Sequence, residues 1–180
     1  SKQNIARNIL GKRVANTARA TIVPDIDLPI DKILVPEPIA YEMYKTDFLN
    51  YLKSRYMMSE SEAASLYYEA NEDTQGKFRE FIETGKSVIF NRAPTLHKYS
   101  IIGVDIGLTK DISIHMPPLL CKGLGADFDG DAMSIQMIPD EYRDYVMTRI
   151  SPSASIFMEK NLAPLYTPSH EFLYGLYLAS

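Results

Sequence analysis

One cysteine, three histidines and no tryptophan in 180 residues exclude several kinds of chemistry at once. The lone thiol, Cys121, cannot form an internal disulfide, and no Cys/His cluster has zinc-ligand spacing, so the chain reads as intracellular and soluble. No apolar run approaches the ~18 residues of a membrane span. The first residues also lack a signal-peptide core, so a membrane is not among the expected partners. No Ser/His/Asp or Cys/His arrangement suggests a side-chain nucleophile. Charged residues at 23%, with 9 glycines and 11 prolines, rule out a disordered or collagen-like chain.

Acid is missing from the amino-terminal arm. Residues 1–24 carry Lys2, Arg7, Lys12, Arg13 and Arg19 against no carboxylate, whereas the whole chain has a net charge of −4. The average argues against a free-standing basic nucleic-acid binder, and the arm is the one stretch whose charge suits a polyanion. The chain opens on Ser1 and closes on the apolar run Leu173–Leu178, which suggests a fragment, a processed chain or one piece of a split subunit.

Short strand patterns occur at Ala20–Val23, Ile33–Val35, Ser87–Phe90, Ile101–Leu108, Ile112–His115 and Ala132–Ile138. Between the second and third, the period changes. Ile39, Met43, Phe48, Leu49 and Leu52 predict one helix with an apolar face. Ser59-Glu60-Ser61-Glu62 is a capping box for a second helix, and a third is expected near Gln75–Glu83, ending at Gly85. Pro139-Asp140-Glu141 should start a helix to about Ile150, and Thr167-Pro168 a final one. The expected organisation is a basic arm with the first barrel strands (1–38), a helical insertion (39–86), the rest of a barrel (87–139), and C-terminal helices with a loop (140–180). Short strands joined by loops favour this α+β reading, a small β-barrel, over a doubly wound sheet.

The sharpest pattern is Gly125-Ala126-Asp127-Phe128-Asp129-Gly130-Asp131. Acids at alternate positions of an extended segment can point to one side. Two like charges ~4 Å apart repel by roughly 4 kcal/mol at an effective dielectric near 20, so three converging carboxylates call for full solvation or a cation. The apolar flanks Leu119, Leu120, Leu124, Phe128, Met133 and Ile135 would pin the loop to a core, which favours the cation. All-oxygen ligation selects a hard ion, Mg²⁺ or Ca²⁺. An EF-hand does not fit, because its glycine position holds Ala132 and its final glutamate position holds Ile138. Mg²⁺ with open positions for phosphates fits better, and a solvated acidic turn is the plain alternative.

Ala126-Asp127-Phe128-Asp129-Gly130-Asp131 closely resembles the N-A-D-F-D-G-D-Q-M signature of the largest (β′-like) subunit of multisubunit DNA-directed RNA polymerases. Three further segments occur in family order. Phe90–Lys98 is similar to N-R-x-P-T-L-H-R. Leu10–Val14 with Ala18–Ile22 is similar to L-G-K-R-V…G-R-S-V-I. Pro168–Glu171 with Leu173–Tyr177 is similar to P-S-Q-D…L-G-L-Y. The resemblance implies a double-psi β-barrel in which Asp127, Asp129 and Asp131 bind the catalytic Mg²⁺, a second Mg²⁺ arriving with the nucleoside triphosphate. Nucleotidyl transfer to the RNA 3′ end on a DNA template is the implied activity. Arg92 matches the arginine that contacts the nucleotide ribose, a task suited to a planar guanidinium. Lys12, Arg13 and Arg19 match the region lying along template DNA, where Lys and Arg neutralise phosphates.

The implied partners are the second-largest (β-like) subunit, the rest of the largest subunit, template DNA, the RNA product and the nucleoside triphosphates, and the isolated chain is expected to be inactive. The family's asparagine, which helps sense the ribose 2′-hydroxyl, is Gly125 here, and its glutamine is Ala132, so sugar selection is altered or falls to other residues. Such divergence around intact acids points to a distant lineage, viral and phage ones included. Two further readings stand beside this one: an RNA-silencing type two-barrel polymerase, and a non-catalytic assembly module that kept the barrel.

Overall fold

The computed structural model describes residues 17–92, 101–124, 126–128 and 130–153. Its first strand, β1 (Thr17–Pro24), shows the alternation that makes a barrel wall: Thr17, Arg19 and Thr21 are exposed, while Ala18, Ala20 and Ile22 turn to the core. The wall continues with β2 (Lys32–Pro36), β3 (Ser87–Arg92), β4 (Ile101–Thr109), β5 (Ile114–Met116) and β6 (Ala132–Met137). Around the wall the order is β1-β5-β2-β4-β3-β6, closed on itself. The β1–β5 and β2–β4 pairs run parallel and the remaining four antiparallel, as expected of a double-psi barrel. Closure leaves no free strand edge.

Four helices lie between β2 and β3: α1 (Glu37–Met43), α2 (Lys45–Arg55), α3 (Glu60–Glu69) and α4 (Glu72–Glu83). Ser59 caps α3 as its pattern predicts, with Glu62 N donating to Ser59 Oγ at 3.2 Å and Ser59 Oγ donating to the Glu62 carboxylate at 3.1 Å. Asn71 caps α4 in the same manner, so that helix begins before Gln75. The single helix expected from Ile39 is instead two. The chain breaks at Tyr44, whose ψ of 14° ends α1, and Phe48 N then bonds to Tyr44 O to restart the ladder.

These helices do not form a core of their own. Phe48 and Leu52 share one buried cluster with the barrel residues Ile33, Val35, Phe90 and Met133. Aromatic contacts hold the cluster's helical side, including the Phe48–Phe78 edge-to-face pair at 5.1 Å and the stacked Tyr41–Tyr67 pair at 4.4 Å.

β3 is buried on both faces. Val88 and Phe90 fill the barrel, while Ile89 meets Ile138, Val146 and Ile150 beneath α6 (Arg143–Ile150). Gly103 on β4 permits that approach, since a Cβ there would lie 3.2–3.3 Å from Met147, Val146 and Ile150. Arg143 fastens the helix by donating to Ser87 Oγ at 2.8 Å and to Asp105 Oδ1 at 2.9 Å. The nearly buried Lys86 donates to Asp140 at 2.7 Å in the 3₁₀ turn ahead of it. Lys12, Arg13, His97, Lys98 and the helix expected from Thr167-Pro168 lie outside the described residues. No described helix is long and apolar enough to cross a membrane.

On the outer side of β5, His115 sits between two carboxylates. Its Nδ1 is 3.1 Å from Asp25 and its Nε2 is 2.6 Å from Asp111. Burial disfavours the imidazolium, but the hydrogen bonds and charges of Asp25 and Asp111 outweigh it, and the pKa is raised. A pKa raised in the folded state contributes stability that is complete below the unfolded value, ~6.5, and is lost as pH rises through the folded value. We therefore expect the urea midpoint of the wild-type chain to fall from about pH 6.5 upward. His115→Gln should flatten that slope, and an identical slope in the variant would refute the assignment.

Candidate metal centre

The acidic loop is held between a short helix and the last barrel strand. Helix α5 (Pro118–Leu124) was not legible in the sequence, being only seven residues long, although Pro118 suits a first helical position. Ala126 N donates to Cys121 O at 3.0 Å, and Ala126 and Phe128 pack against the main core. Leu120, Leu124, Met133 and Ile135 are buried as expected, but Leu119 is exposed and anchors nothing. Gly130 has φ of +111°, a conformation that L side chains rarely adopt, and this bends the chain into β6.

Barrel register then brings an arginine to the acids. β3 pairs with β6 so that Phe90 faces Ile135 and Arg92 faces Met133. By strand alternation Arg92 continues the inward row of Val88 and Phe90, and Asp131 continues that of Met133 and Ile135. Both rows run out at the same end of the barrel. There Arg92 Nη2 lies 3.5 Å from Asp131 Oδ2, with the side chains 43% and 25% exposed. The same Oδ2 accepts a hydrogen bond from Asp127 N at 2.9 Å, and Asp127 Oδ1 accepts from Phe128 N at 2.9 Å. An ion pair this long and this exposed contributes little to stability.

Cys121 is the neighbour that sequence reasoning missed. Burial first, and then the charges of Asp127 and Asp131, push its thiol pKa up, so it stays neutral beside them. Its signal was weak, one thiol in an apolar stretch five residues ahead of Ala126.

Asp127 is exposed and Asp131 half-buried, while Asp129 and Gly125 lie outside the described residues. Among the described residues no three metal-ligating side chains converge. The two described acids offer carboxylate oxygen donors, which fits a hard cation. Arg19 is not brought to this group. It lies on the exposed, outward row of β1, paired with Ser134. A cavity of about 520 Å³ between α4, β2, β4 and α6 is lined by none of the candidate residues.

A family model described as RNA polymerase Rpb1, domain 2, matches residues 53–143. The chain is 32% identical over 171 residues to the DNA-directed RNA polymerase subunit beta′ of Rhodopirellula baltica, covering 94% of this chain and 12% of that protein. To the subunit of the same name in Dichelobacter nodosus it is 33% identical over 172 residues, covering 95% and 12%. To that of Anthoceros angustus it is 32% identical over 179 residues, covering 96% and 26%. A closed barrel with an acidic loop at one end thus belongs to the Rpb1 domain 2 family. Within that family the chain is a segment of the largest, β′-type subunit of a DNA-directed RNA polymerase, spanning a small fraction of its bacterial relatives' length.

The backbone at Gly130 yields a direct test. Open space surrounds the position, so Gly130→Ala should destabilise by strain alone, on the order of 1–3 kcal/mol. Thermal unfolding of the variant measures the cost, and an unchanged midpoint would show that the loop does not need this turn.

Proposed function

We propose that this segment carries the catalytic magnesium of RNA synthesis, with Asp127, Asp129 and Asp131 as its ligands. The observation supporting the reading is the convergence at one barrel end of Asp131, the Asp127 backbone and the Arg92 guanidinium. Bound Mg²⁺ would polarise the attacking and leaving oxygens of an in-line nucleotidyl transfer. The protein's own part is placement. Gly130 and the Phe128 anchor hold the described acids, Asp127 and Asp131, at the barrel end. Arg92 presents fixed N–H donors beside them, suited to the oxygens of an incoming nucleoside triphosphate.

Lys12, Arg13 and the outward Arg19 would neutralise template phosphates away from that point. Template DNA and RNA product, the β-like subunit and the remainder of the largest subunit complete this reading. Alone, the chain would be inactive, since it spans 12% of the bacterial relatives' length.

Nucleotide addition on a primed RNA–DNA scaffold, with the assembled complex containing this chain and Mg²⁺ as the variable, tests the reading. Asp131→Asn and Asp129→Ala should each lower extension by more than about 100-fold, beyond the loss typical of outer-shell partners. Arg92→Ala should raise the KM for nucleotide more than it lowers kcat. Extension indifferent to both aspartate substitutions would make the segment an assembly module.

A further inference from the structure

One oxygen of the acidic loop serves two partners. Asp131 Oδ2 accepts a hydrogen bond from Asp127 N at 2.9 Å and lies 3.5 Å from Arg92 Nη2. The guanidinium is brought there by the wall, because the β3–β6 register sets Arg92 opposite Met133, two residues after Asp131. Asp127 and Asp131 are like charges on one short loop, and a cation beside them offsets their repulsion. Arg92 supplies that charge but holds it loosely. Its side chain is 43% exposed, and the contact is longer than the ~2.7–2.9 Å of a charge-assisted hydrogen bond. A pair of this kind is given up at small cost. A carboxylate oxygen has about two lone-pair sites. With the Asp127 amide on one of them, a guanidinium and a metal ion would contend for the other.

We propose that Arg92 is an exchangeable counter-ion of Asp131, holding the carboxylate's charge until a divalent cation takes its place. The exchange rests on the magnesium reading of the acidic loop, and adds to it the group that compensates the acids before the ion is bound. Because both cations draw on one oxygen, the guanidinium weakens metal binding, and bound metal loosens the guanidinium by the same factor. So loosened, Arg92 turns its planar N–H fork to nucleotide oxygens. One side chain thus opposes metal binding and favours nucleotide binding. A residue that merely braced the loop would act otherwise, since its loss would let the carboxylates drift and weaken the metal. β3 is buried on both faces up to Phe90, so the backbone of Arg92 stays in place while its side chain trades partners.

The test uses the assembled polymerase carrying this chain, without nucleotide or nucleic acid, and Mn²⁺ as the probe of an oxygen-ligated Mg²⁺ site. Free Mn²⁺ is counted by its electron paramagnetic resonance signal. The ion lost in both Asp131→Asn and Asp129→Ala is the one held by the loop. Arg92→Gln should bind that ion about two- to fivefold more tightly at low salt, the scale of a half-exposed ion pair. Arg92→Lys keeps the charge and should stay close to the wild type. Added salt should narrow the gap between wild type and Arg92→Gln. Unchanged or weaker binding in Arg92→Gln would overturn the exchange and leave the metal reading standing, because the aspartate variants would still lose the ion. Binding indifferent to both aspartate substitutions would sink the metal reading and the exchange with it.

Discussion

The pairing of β6 with both β1 and β3 is the constraint on which the rest of this molecule depends. Thr21 opposite Ala132 on one side and Arg92 opposite Met133 on the other fix where the acidic loop enters the wall. A slip of one residue would turn Met133 and Ile135 outward and carry Asp131 to the wrong side. Burying those two apolar side chains, ~1.5–3 kcal/mol each, therefore also positions the carboxylate. Packing and site geometry are one choice here.

The helical block serves the same end. Its aromatic side chains enter the cluster that fills the barrel, so α1–α4 act as a lid on the wall. On the opposite flank, the Arg143 and Lys86 contacts and the missing Cβ of Gly103 draw α6 against β3 and β4. β3, which carries Arg92 at its end, is thereby gripped from both faces, and a rigid strand gives a guanidinium a defined place.

Local patterns made much of this legible. Strand alternation exposed the six wall segments, the capping box located α3, and the acid spacing with Gly130 located the loop. What stayed hidden had physical reasons. Apolar residues keep helical spacing across Tyr44, so the break between α1 and α2 leaves no trace in the periodicity. Seven-residue α5 is shorter than any periodic signal, and with it went the exposure of Leu119 and the place of Cys121. The family resemblance suggested Arg92, but its partner Asp131 follows from a register between distant strands, which no local window contains.

Closing the wall also has a temporal side. The β1–β6 ladder joins residues 17–21 to residues 132–136, so the first strand must wait for almost the whole described chain before it finds its neighbour. Loop-closure entropy of that kind slows folding toward the millisecond-to-second range of barrel-like topologies. During synthesis at ~5–20 residues per second, the acidic loop leaves the ribosome before the strand that anchors it. Asp131 meets Arg92 only through the pairing of β6 with β3, so a chain that stops short of Ala132 lacks the register that joins the two.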